Sequence, residues 1–407
     1  MAATATTGKP CLVSKEMSIF RVHRKVAAFT LTVGLLVTLL TAFSREKQTV
    51  IPPSTNWTAV YEMSAKLDVA INPSRLFHGP AAVHAPNGDW LVCYQDSLDH
   101  SGRDGVISQV RSRDEGRTWV NDGIIYDERA GNWFGRNPAY GVTADGVIVL
   151  VVQRWRPLPT GESAVTFRKE GIGGSVWLVS PDDGKTYQQR GLVDSKIPLR
   201  HQGSSGGLIR VEKTLLMSAV SLNVPPRGIT LYESSDLTTG WNFLGWIFRV
   251  DRLPVAAVSY PSLIQRHDGS LLANCVTFSR NFQSISKDNG RTWSTPREVP
   301  DLRIRNNPDL DYAGEVLVAH GRGEDGNSVV LYFSPDEGRT WGSMIVLDRH
   351  GFRGWGGYSA SLRTKTGDLF VVFSTDAGPR TARDGGRPDI RGVLLSDVTI
   401  RRKSGST

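Results

Sequence analysis

A chain of 407 residues with 39% hydrophobic and 22% charged residues can bury a sizeable core and is too balanced in composition for a disordered segment. The formal net charge of +8 would favour an anionic partner, but residues 1–25 carry Lys9, Lys15, Arg21, Arg24 and Lys25 against Glu16 alone, and the tail adds Arg401, Arg402 and Lys403. The charge therefore gives no ground for a nucleic-acid partner, and three cysteines, Cys11, Cys93 and Cys275, make no disulfide framework.

Taken in order, residues 1–25 are polar and basic, and residues 26–44 are almost wholly apolar (AAFTLTVGLLVTLLTAF). A run of about 18 apolar residues is the lower edge for a membrane-spanning helix and long for the core of a cleaved signal. A signal-anchor and a signal peptide both fit, and the positive-inside rule puts everything after Ser44 outside the cytoplasm in either case. A buried core helix is the third reading, but no other helical pattern exists for it to pack against. Residues 45–58 read as a linker stiffened by Pro52-Pro53, with Asn56-Trp57-Thr58 fitting a glycosylation acceptor.

From residue 59 to residue 400 the pattern is strand, turn, strand. An apolar strand, a polar turn and a second apolar strand recur from Pro80, Pro138, Ser204, Pro261, Asp311 and Ser359. A second repeat interleaves with the first. Ser112-Arg113-Asp114-Glu115-Gly116-Arg117-Thr118-Trp119 returns almost unchanged at 286–293 and 334–341, with Tyr187 replacing Trp at 180–187 and a degraded copy from Ser234. The opening serines are 68, 54, 52 and 48 residues apart, a period that signals an array of supersecondary units. In each copy Asp can accept from nearby backbone N–H groups, and Gly supplies a backbone angle other residues avoid. Six openings and five such turns predict an all-β, six-bladed β-propeller, preceded by the N-terminal helix. The last strand, near residues 390–400, would share a blade with residues 57–69 and fasten the ring. Cys93 and Cys275 fall on comparable strands of the first and fourth repeats and are expected to be buried free thiols.

The repeated S-x-D-x-G-x-T-W resembles the Asp box of the sialidase (neuraminidase) superfamily, and the resemblance covers roughly residues 70–400. It implies three arginines around a sugar carboxylate, a Tyr nucleophile with a neighbouring Glu, and an Asp as general acid/base. On that pattern Tyr358, in Gly357-Tyr358-Ser359-Ala360-Ser361-Leu362, is the nucleophile candidate; its alternative is a residue of the channel wall. His78, in Phe77-His78-Gly79-Pro80, stands where the first arginine should be. A histidine can hold an anion or transfer a proton but lacks the two-pronged fork of arginine. Asp99 or Asp104 would be the acid/base, and the alternative is a solvated polar loop. Tyr260 occupies the place of the activating Glu, and the second arginine is missing from residues 274–278.

Arg322 is a possible channel cation, and Arg136, Asn137, His201, Asp96 and the cluster Asn306, Asn307, Asp309, Asp311 fall at inner-strand positions that suit a sugar site. No metal-ligand spacing or phosphate loop is present in the sequence, so neither a metal nor a cofactor is implied. The expectation is a sialidase-like glycoside hydrolase acting on a terminal, possibly anionic sugar, its only membrane contact the N-terminal helix. The alternatives are a non-catalytic carbohydrate-binding propeller and a protein-interaction scaffold.

Overall fold

The computed structural model describes residues 46–50, 57–98, 104–156, 173–193, 207–221, 227–277, 280–342, 344–349, 356–376 and 388–402. These belong to the compact unit formed by residues 45–407. The expected membrane or signal helix at residues 26–44 lies outside the described residues, and among those described no helix is long and apolar enough to cross a membrane.

Among the described residues twenty-six strands follow one another. Three N-terminal strands, β1 (Glu46–Val50), β2 (Trp57–Met63) and β3 (Leu67–Ala70), precede the first full blade of β4 (Leu76–His84), β5 (Trp90–Ser97), β6 (Val106–Ser112) and β7 (Val120–Tyr126). The second blade is β8 (Phe134–Val142), β9 (Ile148–Trp155), β10 (Gly173–Ser180) and β11 (Gln188–Leu192). The third is β12 (Leu208–Val211), β13 (Thr214–Ser221), β14 (Gly228–Ser234) and β15 (Asn242–Arg249). The fourth is β16 (Ser259–Gln265), β17 (Leu271–Thr277), β18 (Arg280–Ser286) and β19 (Arg297–Glu298). The fifth is β20 (Ile304–Ala313), β21 (Val316–Gly323), β22 (Ser328–Ser334) and β23 (Ile345–Arg349). The sixth holds β24 (Ser359–Arg363), β25 (Leu369–Asp376) and β26 (Pro388–Arg402). Each of the five full blades pairs its strands antiparallel in chain order. In the sixth, β26 pairs with β2 and β3, so the two ends of the propeller share one sheet, as the sequence predicts.

Burial falls from the centre outward. The second strands, such as Leu271–Thr277, are buried along their whole length, the pattern of a strand covered on both faces. The fourth strands Val120–Tyr126 and Gln188–Leu192 are mostly exposed, whereas Ile345–Arg349 of the fifth blade is mostly buried. Among the described residues the apolar core divides into six clusters, one at each seam between successive blades. Phe77, Trp90 and Tyr94 of the first blade meet Phe370 and Val372 of the sixth, for example, and Val329 and Phe333 of the fifth meet Val371 and Phe373 of the sixth. Burying one such side chain contributes about 1.5–3 kcal/mol, and a closed ring leaves no seam unfilled. Cys93 and Cys275 are both free and fully buried.

The repeated turns are fastened as their chemistry requires. Ser112 Oγ donates to Asp114 Oδ1 (2.8 Å) and accepts from the Gly116 amide (2.8 Å), while the amide and hydroxyl of Thr118 both donate to Asp114 (2.8 and 2.6 Å). The same four bonds recur around Asp182, Asp288 and Asp336. At Asp288 the Thr292 hydroxyl, then its amide, then Ser286 pull the carboxyl down to about 2. The turns hold two successive positive φ angles, not the one expected at glycine: Asn289 has φ 55° and Gly290 φ 88°. The glycine also seats the turn on the preceding blade, since a Cβ on Gly290 would lie 2.5 Å from Leu231, and one on Gly184 2.5 Å from Leu91. Arg117, Arg291 and Arg339 are exposed, as expected of residues on outer turns.

Candidate active site

The innermost strands β4, β8, β12, β16, β20 and β24 touch in succession around the ring. Their opening residues share a backbone feature. In β4, β8, β16 and β20 the antiparallel register slips next to a proline, at Pro80, Pro138, Pro261 and Pro308. Proline has no N–H to offer a ladder, so a bulge is where a strand tolerates it. The residue before each proline takes a positive φ: Gly79 59°, Asn137 46°, Tyr260 51° and Asn307 55°. Gly357 has φ 83° at the matching place in the sixth blade, and Tyr358 stands where the other blades have proline. A bulge re-aims side chains that a regular strand would send to opposite faces, and a positive φ on a bulky aromatic such as Tyr260 is rare enough to mark a constrained site.

These bulges bring four blades together at Tyr358. His78 of the first blade lies against its ring, with centroids 4.1 Å apart. Tyr260 of the fourth blade meets it hydroxyl to hydroxyl at 3.3 Å. Arg322 of the fifth blade lies with its guanidinium carbon 5.0 Å from the Tyr358 ring centroid, and its Nε donates to the Gly356 carbonyl at 2.5 Å. Asn306 Nδ2 donates to the Tyr260 hydroxyl at 3.4 Å. All are buried or nearly so, with Tyr358 8%, Arg322 4% and His78 0% exposed, so electrostatic interactions here are screened far less than at the surface. Burial, and then neighbouring Tyr358, push the Tyr260 phenol well up, against a downward pull from Arg322 and Arg136.

Of the other residues predicted from the sequence, Asn137 is buried and donates from Nδ2 to Gln153 Oε1 at 2.7 Å. Asp96 and Asp104 are both held by Arg75, whose Nε is 2.5 Å from Asp96 Oδ1 and whose Nη1 is 2.7 Å from Asp104 Oδ2. The remaining Asp104 oxygen accepts from the Leu98 amide, and the remaining Asp96 oxygen from Ser108 Oγ. Each carboxylate thus has both oxygens occupied, a clamp at the base of the first-blade loop. Asp99 and His201 lie outside the described residues. Arg75 carries no motif signal, and only a carboxylate pair spaced to share it could have pointed to it. Asn307 is 1% exposed, and neither amide atom has a hydrogen-bond partner among the described residues. Glu315 is exposed at its turn and sits 3.6 Å from His267, remote from Tyr358 in its partners. Asp311 bonds Ser361 and lies 3.4 Å from Arg363. Among the described residues no group of His, Cys, Asp and Glu is arranged to hold a metal.

A family described as BNR repeat-like domain matches residues 88–371, more than half of the chain. The chain belongs to the BNR-repeat family of the sialidase superfamily. This BNR-repeat protein is 26% identical over 256 residues to a sialidase of Paraclostridium sordellii, an alignment covering 61% of this chain and 52% of that protein. A sialidase of Clostridium perfringens is 24% identical over the same length, covering 55% of that protein, so the chain spans about half the length of the curated relatives it matches. Among solved structures, a Dyadobacter fermentans protein of unknown function superposes with a TM-score of 0.63 at 16% identity, covering 81% of this chain and 97% of that one. The intramolecular trans-sialidase of Ruminococcus gnavus, in complex with oseltamivir carboxylate, gives 0.58 at 11% identity, with 79% and 94% covered. At such identities these structures speak for the fold.

Proposed function

We propose that this BNR-repeat protein is an exo-acting, sialidase-like glycoside hydrolase that removes a terminal anionic sugar from an extracellular glycan, with Tyr358 as nucleophile. The observation that carries this reading is the convergence of His78, Tyr260 and Arg322, from three different blades, on the Tyr358 side chain. Until its proton leaves, the phenol meets an anionic sugar without the repulsion that a carboxylate nucleophile would carry from the start. Arg322, with Arg136 acting on Tyr260 nearby, gives the pocket a positive field that favours an anion. In the first step the Tyr358 hydroxyl gives its proton to solvent water, its oxygen bonds to the anomeric carbon, and the leaving-group oxygen departs with the electron pair of the broken bond. The proton it takes up would come from Asp99 or Asp104, and the engagement of both Asp104 oxygens favours Asp99. Water then releases the sugar and regenerates the phenol. The N-terminal apolar segment would hold the propeller at the outer surface of a membrane or direct its secretion.

A non-catalytic, sugar-binding propeller is the second reading. What favours it is that a phenol, Tyr260, and not a carboxylate, meets the Tyr358 hydroxyl. Turnover of fluorogenic sialosides and uronides by the full chain separates the two. Wild type releases the fluorophore, and Tyr358→Phe loses it by three orders of magnitude or more while still binding the sugar. Binding without turnover by wild type across that set would leave the second reading standing.

A further inference from the structure

A hydrogen-bond chain runs from Asn306 by way of Tyr260 to Tyr358. Asn306 Nδ2 can only donate, so the Tyr260 oxygen that receives it is an acceptor there, at 3.4 Å. A phenol that has accepted one hydrogen bond still has its own proton to give, and the next oxygen, 3.3 Å away, is that of Tyr358. The 3.3 Å contact fits either hydroxyl as donor, and donation by Tyr260 gives the order Asn306 to Tyr260 to Tyr358. The alternative, Tyr260 taking the Tyr358 proton as a base, would require either a protonated phenol or a Tyr260 that is already a phenolate, a form its burial disfavours.

We infer that Tyr260 is a positioning residue that stabilises Tyr358 as a phenolate by donating a hydrogen bond to it, so that this site replaces a proton-accepting base by a donor relay. The inference rests on Tyr358 being the reacting residue of the proposed hydrolase. Its balance is simple. The Tyr358 proton passes to solvent water, leaving the negative charge on the phenolate oxygen. That lone pair forms the bond to the anomeric carbon, and the leaving-group oxygen takes the electrons of the bond that breaks. Arg322 over the Tyr358 ring adds a second stabiliser of the same charge, because a guanidinium facing a phenolate gains both cation–π and direct Coulomb attraction. The charged or titratable groups facing the pair are His78 from β4, Arg136 from β8 and Arg322 from β21. No carboxylate hydrogen-bonds either hydroxyl among the described residues. The two relay distances are long for neutral bonds and would shorten when charge develops on the acceptor. The left-handed backbone of Tyr260, φ 51°, is what a strand must adopt to aim this ring across two blades.

The test needs no substrate. In full chain labelled with carbon-13 at the tyrosine ring carbon bearing the hydroxyl, the Tyr358 signal is the one lost in Tyr358→Phe, and its pH midpoint is followed by NMR. Tyr260→Phe removes the donor and should raise that midpoint by about one pH unit or more, a tenfold or greater loss of phenolate at a fixed pH. Asn306→Asp leaves the Tyr260 hydroxyl in place but offers it an acceptor, turning its proton away from Tyr358, and should raise the midpoint in the same direction. Asn306→Asp also keeps the question open if Tyr260→Phe fails to fold. A midpoint unmoved or lowered in both variants overturns the relay, since a merely structural Tyr260 would leave it unmoved. A shifted midpoint with no glycoside turned over would instead sustain the relay and remove the hydrolase reading.

Discussion

Gly357 sets the distance between the fifth and sixth blades beside the site, and Gly357→Ala tests that claim quantitatively. Its φ of 83° costs an L-residue about 1–2 kcal/mol. An added Cβ would also lie 2.9 Å from Arg322 Cβ and 3.1 Å from its Cα and Cγ, well inside the roughly 3.5–4.0 Å at which carbons attract. These are atoms at the root of the side chain, so the seam itself must open, at about 1–3 kcal/mol for overpacking. Gly269 supplies the control: its φ is 81°, and nothing lies within 4 Å of an added Cβ. Urea unfolding of the two alanine variants should therefore show both destabilised by the backbone cost and Gly357→Ala by a further ~1–3 kcal/mol. Because the displaced residue is Arg322, glycan binding should fall in Gly357→Ala and hold in Gly269→Ala. Equal unfolding midpoints for the two variants would refute the reasoning.

The buried amide of Asn307, without a hydrogen-bond partner among the described residues, is a cost that a ligand would offset. Asn307→Gly keeps the positive φ and removes two unsatisfied polar atoms, so stability should hold or rise by about 1 kcal/mol while glycan affinity falls about tenfold; a destabilised variant with unchanged affinity would make the amide structural. Burial pushes the His320 imidazole down to about 3, with Nδ1 2.8 Å from Ser359 Oγ. The unfolded chain, titrating near 6.5, binds this proton first, so stability should be lost as pH falls from about 6.5 towards 3, by up to about 1.4 kcal/mol per pH unit. His320→Asn, which can keep the bond to Ser359, should flatten that slope in unfolding measurements taken across this pH window, and an unchanged slope would count against the buried neutral form.

Much of the ring was legible because its signals are local. Asp, Gly and Thr at fixed offsets fasten one turn, and strand pairs of period two flank each turn, so counting them yields six blades. The shared sixth sheet followed because an unpaired last strand needs partners. The site was legible only where a residue type carried its own meaning. Tyr358 and His78 were named through the resemblance of residues 357–362 and 77–80 to the sialidase pattern, and the X-Pro steps at Asn137, Tyr260 and Asn307 mark bulges whose geometry a strand pattern does not reveal. Contacts across blades left no trace in spacing. Tyr260 and Tyr358 are 98 residues apart, and only the family resemblance, which puts Tyr260 in the place of the Glu beside the nucleophile, brings them together in the sequence. The clamp of Arg75 on Asp96 and Asp104 was likewise hidden, because it is set by three-dimensional proximity to two carboxylates.

The claim on which the account turns is that Tyr358 bonds to the sugar. It is tested most directly by stopping turnover of a cleaved glycoside in the first moments of the reaction and mapping the full chain by peptide mass spectrometry. The account predicts a glycosyl group on the peptide that carries Tyr358, absent from Tyr358→Phe. Turnover undiminished in Tyr358→Phe, with the sugar found on another residue or on none, would contradict it.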